Sequence, residues 1–198
     1  MRLAHIVLLA LLAHAGLHAQ HDVDSTRLFH ADRFTSDGYA AGGFGVQQFT
    51  DGAGFFTELS ANWVIDHRFV VGGVFRQVAS YETVGFAFGE PAEDVRLRHM
   101  SAGLRLGYIV FHDKLFSLVP EVVGAWANVV YEFPEADVRR WNFAQVRPSI
   151  NVVFNGSDHV RPGLGLVYTR SIGVDLDPLD DADLSGVGAR FFVRFGTF

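Results

Sequence analysis

The sequence predicts an all-β fold, a single eight-stranded antiparallel up-and-down barrel. Three observations predict it: eight alternating or apolar segments, a regular exchange of short turns with long loops, and strands with one apolar and one polar face. Each segment is bounded by turn residues, and most have the roughly 9–11 residues that a tilted transmembrane strand needs. The predicted strands are residues 39–49, 55–65, 69–80, 96–111, 115–131, 141–154, 160–171 and 185–198.

The connections between these segments alternate in length. Tight turns are predicted at residues 65–68, 111–114 and 155–159, and longer connections at 81–95, 132–140 and 172–184. The first connection, residues 50–54, is the exception: it is short, although the alternation places it among the long connections. Transmembrane barrels have an even number of strands, short turns on the periplasmic side and longer loops outside. The pattern therefore predicts a membrane-spanning barrel whose two termini lie in the periplasm.

The faces of the strands show a period of two, which is typical of strands whose two sides meet different surroundings. In the second strand, Phe55, Leu59 and Trp63 share one face. Phe56, Glu58, Ser60, Asn62 and Val64 occupy the other face. Periodicity alone does not say which face is inside. We expect the apolar face to meet lipid, because Trp63 and Tyr108 lie toward strand ends, where interfacial aromatic girdles are found.

Composition excludes several classes of function. The formal net charge of −6 argues against a nucleic-acid partner, since phosphate binding requires a basic face. The chain has no Cys, so a disulfide, a thiolate site and a lipoprotein anchor are all excluded. The 19 Phe and 21 Gly suit a curved sheet that carries an aromatic surface.

The N-terminal segment has the features of an export signal. Met1 and Arg2 form a positive start, residues 6–13 form a short apolar core, and small residues before Gln20 offer a cleavage site. The apolar run is well short of the roughly 20 residues that a membrane helix needs. We expect residues 1–19 to be a signal peptide, 20–38 a periplasmic lead-in, and 39–198 the barrel.

The polar face carries charged residues that would point into the barrel. An eight-stranded barrel has a bore just wide enough for side chains to fill, and an isolated ion there costs several kcal/mol. Charges inside must therefore pair. We predict a network of glutamates and arginines that fills the lumen and forbids a permanent pore. An anion-selective conduit lined by the arginine excess is the alternative. The predicted lumen residues are Glu58, Arg76, Arg105, Glu121, Arg147, Arg161, Arg190 and Arg194.

The last strand ends in Phe198 after an alternating run that includes Phe191 and Phe195. This run resembles the C-terminal signal of outer-membrane barrels, which implies recognition by the barrel-assembly machinery. Residues 42–45 (GGFG) and 62–73 (NWVIDHRFVVGG), followed later by residues 119–121, 161–165 and 195–198, resemble a family of small gram-negative outer-membrane proteins of the OmpA/OmpX type. That family reads GGWIINHxFVIGGxG at this place. The resemblance implies an eight-stranded outer-membrane barrel. It implies no catalytic or ligand-binding residues.

Two acidic features are candidates for metal sites. An Asp–His pair lies in each tight turn, at residues 66–67, 112–113 and 158–159, but Asp is a favoured turn residue and the pairs are expected to stay apart. The loop from Asp175 to Asp183 is rich in carboxylates that could hold calcium, although it lacks the ligand spacing of an EF-hand. A solvated charge run is the commoner interpretation. We therefore predict no bound metal and no cofactor.

The sequence favours a structural or surface-interaction role in the outer membrane, with lipid or lipopolysaccharide and the assembly machinery as partners. The surface partner is not identified. An enzyme that modifies lipid A is an alternative, because His99 and Ser101 share a predicted inward face and Glu121 could orient a histidine. A small-solute channel and a soluble periplasmic lipocalin-like binder are further alternatives. No lipase-type GxSxG motif is present.

Overall fold

A computed structural model of the chain describes residues 36–49, 52–80, 96–132, 138–175 and 180–198. The predicted signal peptide and most of the lead-in lie outside these residues. Eight antiparallel strands make up the fold. They are β1 Ser36–Phe49, β2 Gly52–Ile65, β3 Phe69–Ser80, β4 Arg96–Tyr108, β5 Phe116–Glu132, β6 Val138–Phe154, β7 Val160–Ile172 and β8 Gly186–Gly196. Within the described ranges, no helix is long and apolar enough to cross a membrane.

The strands form a closed barrel in which each pairs with its sequence neighbours and β1 pairs with β8. The closing seam runs from Tyr39 opposite Gly196 to Gln47 opposite Gly188. Among the eight described strands, closure leaves no open sheet edge, which would expose unpaired backbone groups. The ladder between β6 and β7 is interrupted beside Pro148, whose backbone has no N–H to donate. The predicted up-and-down barrel is therefore confirmed.

The two faces of each strand divide as predicted. Phe56 and Glu58 are buried inside the barrel, whereas Phe55 and Leu59 on the same strand are about half exposed on its outer surface. Leu104 on β4 is 72% exposed. An apolar belt of such residues covers the outside, while most buried polar side chains lie within. This arrangement is the reverse of a soluble barrel and matches a membrane barrel.

The three tight turns, which join β2 to β3, β4 to β5 and β6 to β7, all lie at one end of the barrel, which we call the tight-turn end; the opposite end, which also carries the short β1–β2 connection, is the long-loop end. In the β2–β3 turn, Asp66 and His67 both have positive φ values, 53° and 54°, and the N–H of Arg68 donates to the carbonyl of Ile65 at 3.2 Å. This is the geometry of a tight hairpin turn, in which Asp tolerates the left-handed conformation.

The predicted boundaries at the β4–β5 connection are wrong by one to three residues. Strand β4 ends at Tyr108 rather than at 111, and β5 begins at Phe116 rather than at 115. The N–H of Ile109 still donates to the carbonyl of Arg68 at 2.7 Å, and Val110 forms an isolated bridge with Leu118, but the ladder to β5 is interrupted at Pro120, which has no N–H to donate. Phe111 then adopts a positive φ of 61° that no strand residue uses.

The lumen is not polar along its whole length. An apolar layer fills the tight-turn end, and a smaller one lies toward the long-loop end around Phe56. The first layer contains Tyr39, Ala41, Val64, Val70, Ile109, Val119, Val153 and Phe192, with Phe198 packed against it. The second contains Phe49, Phe56, Val78 and Val167. Charged side chains occupy the space between them.

Gly103 is one of several inward glycines that have no room for a side chain. A Cβ atom at Gly103 would overlap the carbonyl oxygen of Gly124 and the backbone of Ala125, whereas a Cβ at Gly124 would meet nothing within 4 Å. We expect Gly103→Ala to destabilise the barrel by about 1–3 kcal/mol, because overpacking forces the backbone to shift. Gly124→Ala, on the outer face, is the matched control and is expected to be neutral. Urea unfolding in detergent micelles would compare them, and equal stability of the two variants would contradict the close packing at Gly103.

Candidate functional site

Two glutamates and three arginines from four strands form one ion-pair network in the middle of the lumen. It consists of Glu58, Arg105, Glu121, Arg190 and Arg194. Each lies on the inward face of its strand, so the alternation of side chains along the strand directs all five toward the barrel axis. All five side chains are at least nine-tenths buried.

Arg190 joins the two glutamates across the bore. Its Nη1 donates to Oε1 of Glu58 at 2.5 Å and its Nη2 donates to Oε2 of Glu121 at 2.8 Å. Nε and Nη2 also donate to Oδ1 of Asn151, at 3.2 and 2.9 Å. A single side chain on β8 thus connects β2, β5 and β6. Charge-assisted hydrogen bonds of this kind are roughly twice as strong as neutral ones.

The other two arginines complete the coordination of the carboxylates. Nη2 of Arg105 donates to Oε1 of Glu58 at 2.5 Å, and its Nη1 donates to Oγ of Ser60 at 3.1 Å. Nη2 of Arg194 donates to Oε1 of Glu121 at 3.1 Å. Both carboxylate groups therefore bind more than one guanidinium, which is the condition under which buried charges are tolerated.

The network leaves almost no open space. The cavity beside it, lined in part by Glu58, Glu121 and Arg190, has a volume of about 10 Å³. That is roughly the space of one water molecule. An open aqueous path along the described part of the lumen is therefore blocked by paired side chains.

Arg76 and Arg147 lie inside as predicted, but they do not contact a carboxylate within the described part of the chain. Glu58 is the register partner of Arg76, yet Nη2 of Arg76 donates to Oε1 of Gln47 at 2.6 Å and its guanidinium lies 3.5 Å above the ring of Phe56. Nη1 of Arg147 donates to Oγ of Ser101 at 2.9 Å. These two arginines belong to a separate polar layer nearer the long-loop end.

Arg161 is a correction to the predicted network. Its side chain is only partly buried, at the tight-turn end. The guanidinium lies 4.2 Å from the centroid of the Phe198 ring, and Nε donates to the carbonyl of Ser157 at 3.3 Å. Parity places Arg161 on the inward face, but its position at the start of β7 puts it in the mouth of the barrel, out of reach of Glu58 and Glu121.

The three phenylalanines of the predicted assembly signal have different surroundings. Phe191 and Phe195 lie on the outer face of β8. Phe198 follows the strand and packs against the ring of Tyr39, with the two centroids 5.4 Å apart. It therefore helps to close the tight-turn mouth. The assembly role of these residues stays a prediction.

The side chains considered for an enzyme do not form a nucleophile and base pair. The ring of His99 stacks on Phe143 with centroids 5.5 Å apart, and neither ring nitrogen hydrogen-bonds to any described residue. Oγ of Ser101 accepts from Arg147, and the oxygens of Glu121 accept from Arg190 and Arg194. None of these groups is positioned to activate another.

The tight turns bring together two histidines, but they assemble no metal site. The rings of His67 and His112 stack with centroids 6.2 Å apart, and Nδ1 of His67 lies 3.1 Å from Oδ2 of Asp37. A hydrogen bond from its own backbone amide and the adjacent Lys114 lower the pKa of Asp113. Within the ranges that the structure covers, no three His, Asp or Glu residues are placed to hold a metal ion.

The carboxylates of Asp180, Asp181 and Asp183 in the acidic loop accept hydrogen bonds from backbone amides of the loop itself. Oδ1 of Asp181 accepts from the N–H of Val174 at 2.7 Å, and Oδ1 of Asp180 accepts from the N–H groups of Ala182 and Asp183. These contacts are those of turn-forming aspartates. Asp177 lies outside the described residues.

The predicted network contains charged residues only, and it therefore omits several neutral polar residues of the lumen. Asn151, which is fully buried, accepts from Arg190 and donates to the carbonyl of Val119 at 2.9 Å. Gln47 and Gln145 are equally buried in the layer that contains Arg76. Side-chain alternation along their strands places these amides on the inward face, but a prediction based on charge alone does not include them.

Comparison with known proteins supports the fold. No family model and no curated protein matches the chain. Among solved structures, Neisserial surface protein A is similar with a TM-score of 0.58 at 11% identity, over 84% of this chain and 100% of that one.

Two further structures agree. A major outer membrane protein from Thermus thermophilus has a TM-score of 0.56 at 10% identity, over 82% of this chain and 99% of that one. Ail, the attachment invasion locus protein of Yersinia pestis, has a TM-score of 0.53 at 12% identity, over 82% of this chain and 98% of that one. At such identities the likeness shows the fold alone. That fold is an eight-stranded barrel of the outer-membrane type.

Proposed function

We propose that the chain is an integral outer-membrane protein with a closed lumen and a structural or surface-interaction role. The observation that carries the proposal is the inside-out distribution of polarity, with an apolar belt outside and the ion-pair network within. Exposed apolar side chains such as Leu104 and Trp126 would be costly in water and are favourable in lipid. Lipid and lipopolysaccharide would be the immediate surroundings.

The orientation follows from the same argument. Short turns face the periplasm in outer-membrane barrels and longer loops face outside. We therefore assign the tight-turn end and both termini to the periplasm. The long connections, including the turn formed by Asp180, Asp181 and Asp183, would be presented at the cell surface, where a partner would bind. The terminal strand would be recognised by the barrel-assembly machinery before insertion.

Detergent extraction and gel migration test the membrane assignment. The protein is expected in the membrane fraction, to be released by detergent, and to migrate as a compact band that shifts after boiling. Recovery in the soluble fraction would contradict the proposal and favour a lipocalin-like binder.

Planar-bilayer recording tests the closed lumen. Because Arg190 joins Glu58 to Glu121 across the bore, we expect no stable large conductance. The comparison variant is Glu121→Gln, which removes one carboxylate of the network. We expect it to show brief openings of the lumen more often than the unaltered protein. A stable anion-selective conductance of the unaltered protein would favour the channel alternative instead.

A further inference from the structure

A second polar layer in the lumen, nearer the long-loop end, is rich in positive charge. We call it the arginine–glutamine cluster, and its members are Gln47, Arg76, His99, Ser101, Gln145 and Arg147. All six are at most 3% exposed. The strand register brings them together: Arg76 is opposite Ser101, and Ser101 accepts from Arg147.

The cluster has an excess of positive charge. Buried arginines outnumber buried glutamates by five to two among the described residues. Both glutamates are engaged by Arg105, Arg190 and Arg194 in the ion-pair network. Arg76 and Arg147 therefore carry buried charge that no carboxylate of the described chain contacts. An unbalanced buried ion costs several kcal/mol, so a counter-charge is required.

The cluster also has an excess of hydrogen-bond donors. Nε of Arg76, Nε and Nη2 of Arg147, and Nε2 of Gln47 are buried and have no acceptor among the described residues. The two ring nitrogens of His99 also have no partner among the described residues, and in a neutral imidazole one of them donates and the other accepts. The unpartnered acceptors in the described part of the cluster are therefore Oε1 of Gln145 and one nitrogen of His99, fewer than the unpartnered donors. Buried donors are normally satisfied, and an anion accepts several N–H donors at once.

We propose that the arginine–glutamine cluster binds a small inorganic anion between Arg76 and Arg147. The bore of an eight-stranded barrel is filled mainly by side chains, so the anion is a monatomic halide, for which chloride is the probe. The site lies on the long-loop side of the ion-pair network, and the network blocks passage from the site toward the tight-turn end. The anion is therefore a bound structural ligand rather than a transported one. The inference rests on the closed lumen and not on the proposed membrane location.

Chloride-dependent stability tests the proposal. Urea unfolding of the refolded barrel in neutral detergent is measured with increasing chloride, at ionic strength held constant with gluconate. A ligand that binds only the folded state raises the folding constant by a factor of 1 + [L]/Kd. We expect an increase of at least about fivefold at about 150 mM chloride, which corresponds to a Kd of about 40 mM or tighter. Parallel titrations with sulfate and phosphate, which are too large for the site, are expected to give no such increase.

Two variants make the test specific. Arg147→Gln removes one of the two charges and is expected to abolish the chloride dependence. Arg170→Gln removes an exposed arginine on the outer face of β7 and is expected to retain it. If Arg147→Gln kept the full chloride response, or if the unaltered protein showed none, the proposal would be overturned.

A direct measurement covers the case in which Arg147→Gln fails to fold. Chloride NMR of the unaltered, folded protein is expected to show line broadening that bromide competes away. Absence of broadening that bromide relieves would overturn the proposal without any variant.

Discussion

Replacing Glu121 by glutamine is expected to destabilise the barrel by about 3–5 kcal/mol, the usual cost of breaking a buried ion pair. Glu121 is 5% exposed, and its oxygens accept hydrogen bonds from Arg190 and Arg194. Glutamine has nearly the same shape but no charge, so these guanidinium groups would remain buried beside a neutral amide. The loss exceeds that of an ordinary hydrogen bond because uncompensated charge, rather than a missing contact, dominates it.

Reversible urea unfolding in lipid vesicles, followed by tryptophan fluorescence, measures the effect. Asp113→Asn is the control, because Asp113 forms a 3.4 Å ion pair with Lys114 in an exposed turn and is expected to contribute nothing measurable. If Glu121→Gln were as stable as the unaltered protein, the ion-pair network would not stabilise the fold.

An arginine at Leu104 is expected to destabilise the barrel in lipid by about 2–4 kcal/mol, the cost of such a charge on the lipid face near the bilayer midplane. Leu104 is the most exposed of the large apolar residues described, and it projects from the outer face of β4. On a soluble barrel the same substitution would place a charge in water, where surface changes are usually within about 0.5 kcal/mol.

The same substitution at Leu115 is the matched control. Leu115 is 57% exposed but lies in the connection before β5, at the tight-turn end, where the cost of arginine falls to about 0–1 kcal/mol. Unfolding of both variants in vesicles gives the comparison. Equal tolerance of arginine at the two positions would contradict the lipid-facing belt.

The faces of the strands could be predicted from the sequence because side-chain direction alternates strictly along a strand. Parity alone assigns Glu58, Glu121 and Arg190 to the lumen, and they meet there. Parity gives the face but not the height along the axis, which depends on strand tilt and register. The prediction therefore included Arg161 in the network, although this residue lies at the mouth with Phe198.

The choice of hydrogen-bond partners could not be predicted either. Arg76 is the register partner of Glu58 but donates to Gln47, a residue on a strand that is not its direct neighbour. Such contacts across the bore depend on barrel diameter and on side-chain conformations that no local pattern encodes. The apolar layer at the tight-turn end could not be predicted either, because Val64 and Val153 lie on the same strand faces as the polar lumen residues.

Fluorescence of Trp126 in brominated lipid tests the central claim most directly, namely that the apolar face of the barrel meets acyl chains. Trp126 is 64% exposed on the outer face of β5. In the variant that retains only this tryptophan, with Trp63→Phe and Trp141→Phe, bromine on the acyl chains is expected to quench the emission strongly while aqueous acrylamide does not. Strong acrylamide quenching without any effect of bromine would show that this face lies in water.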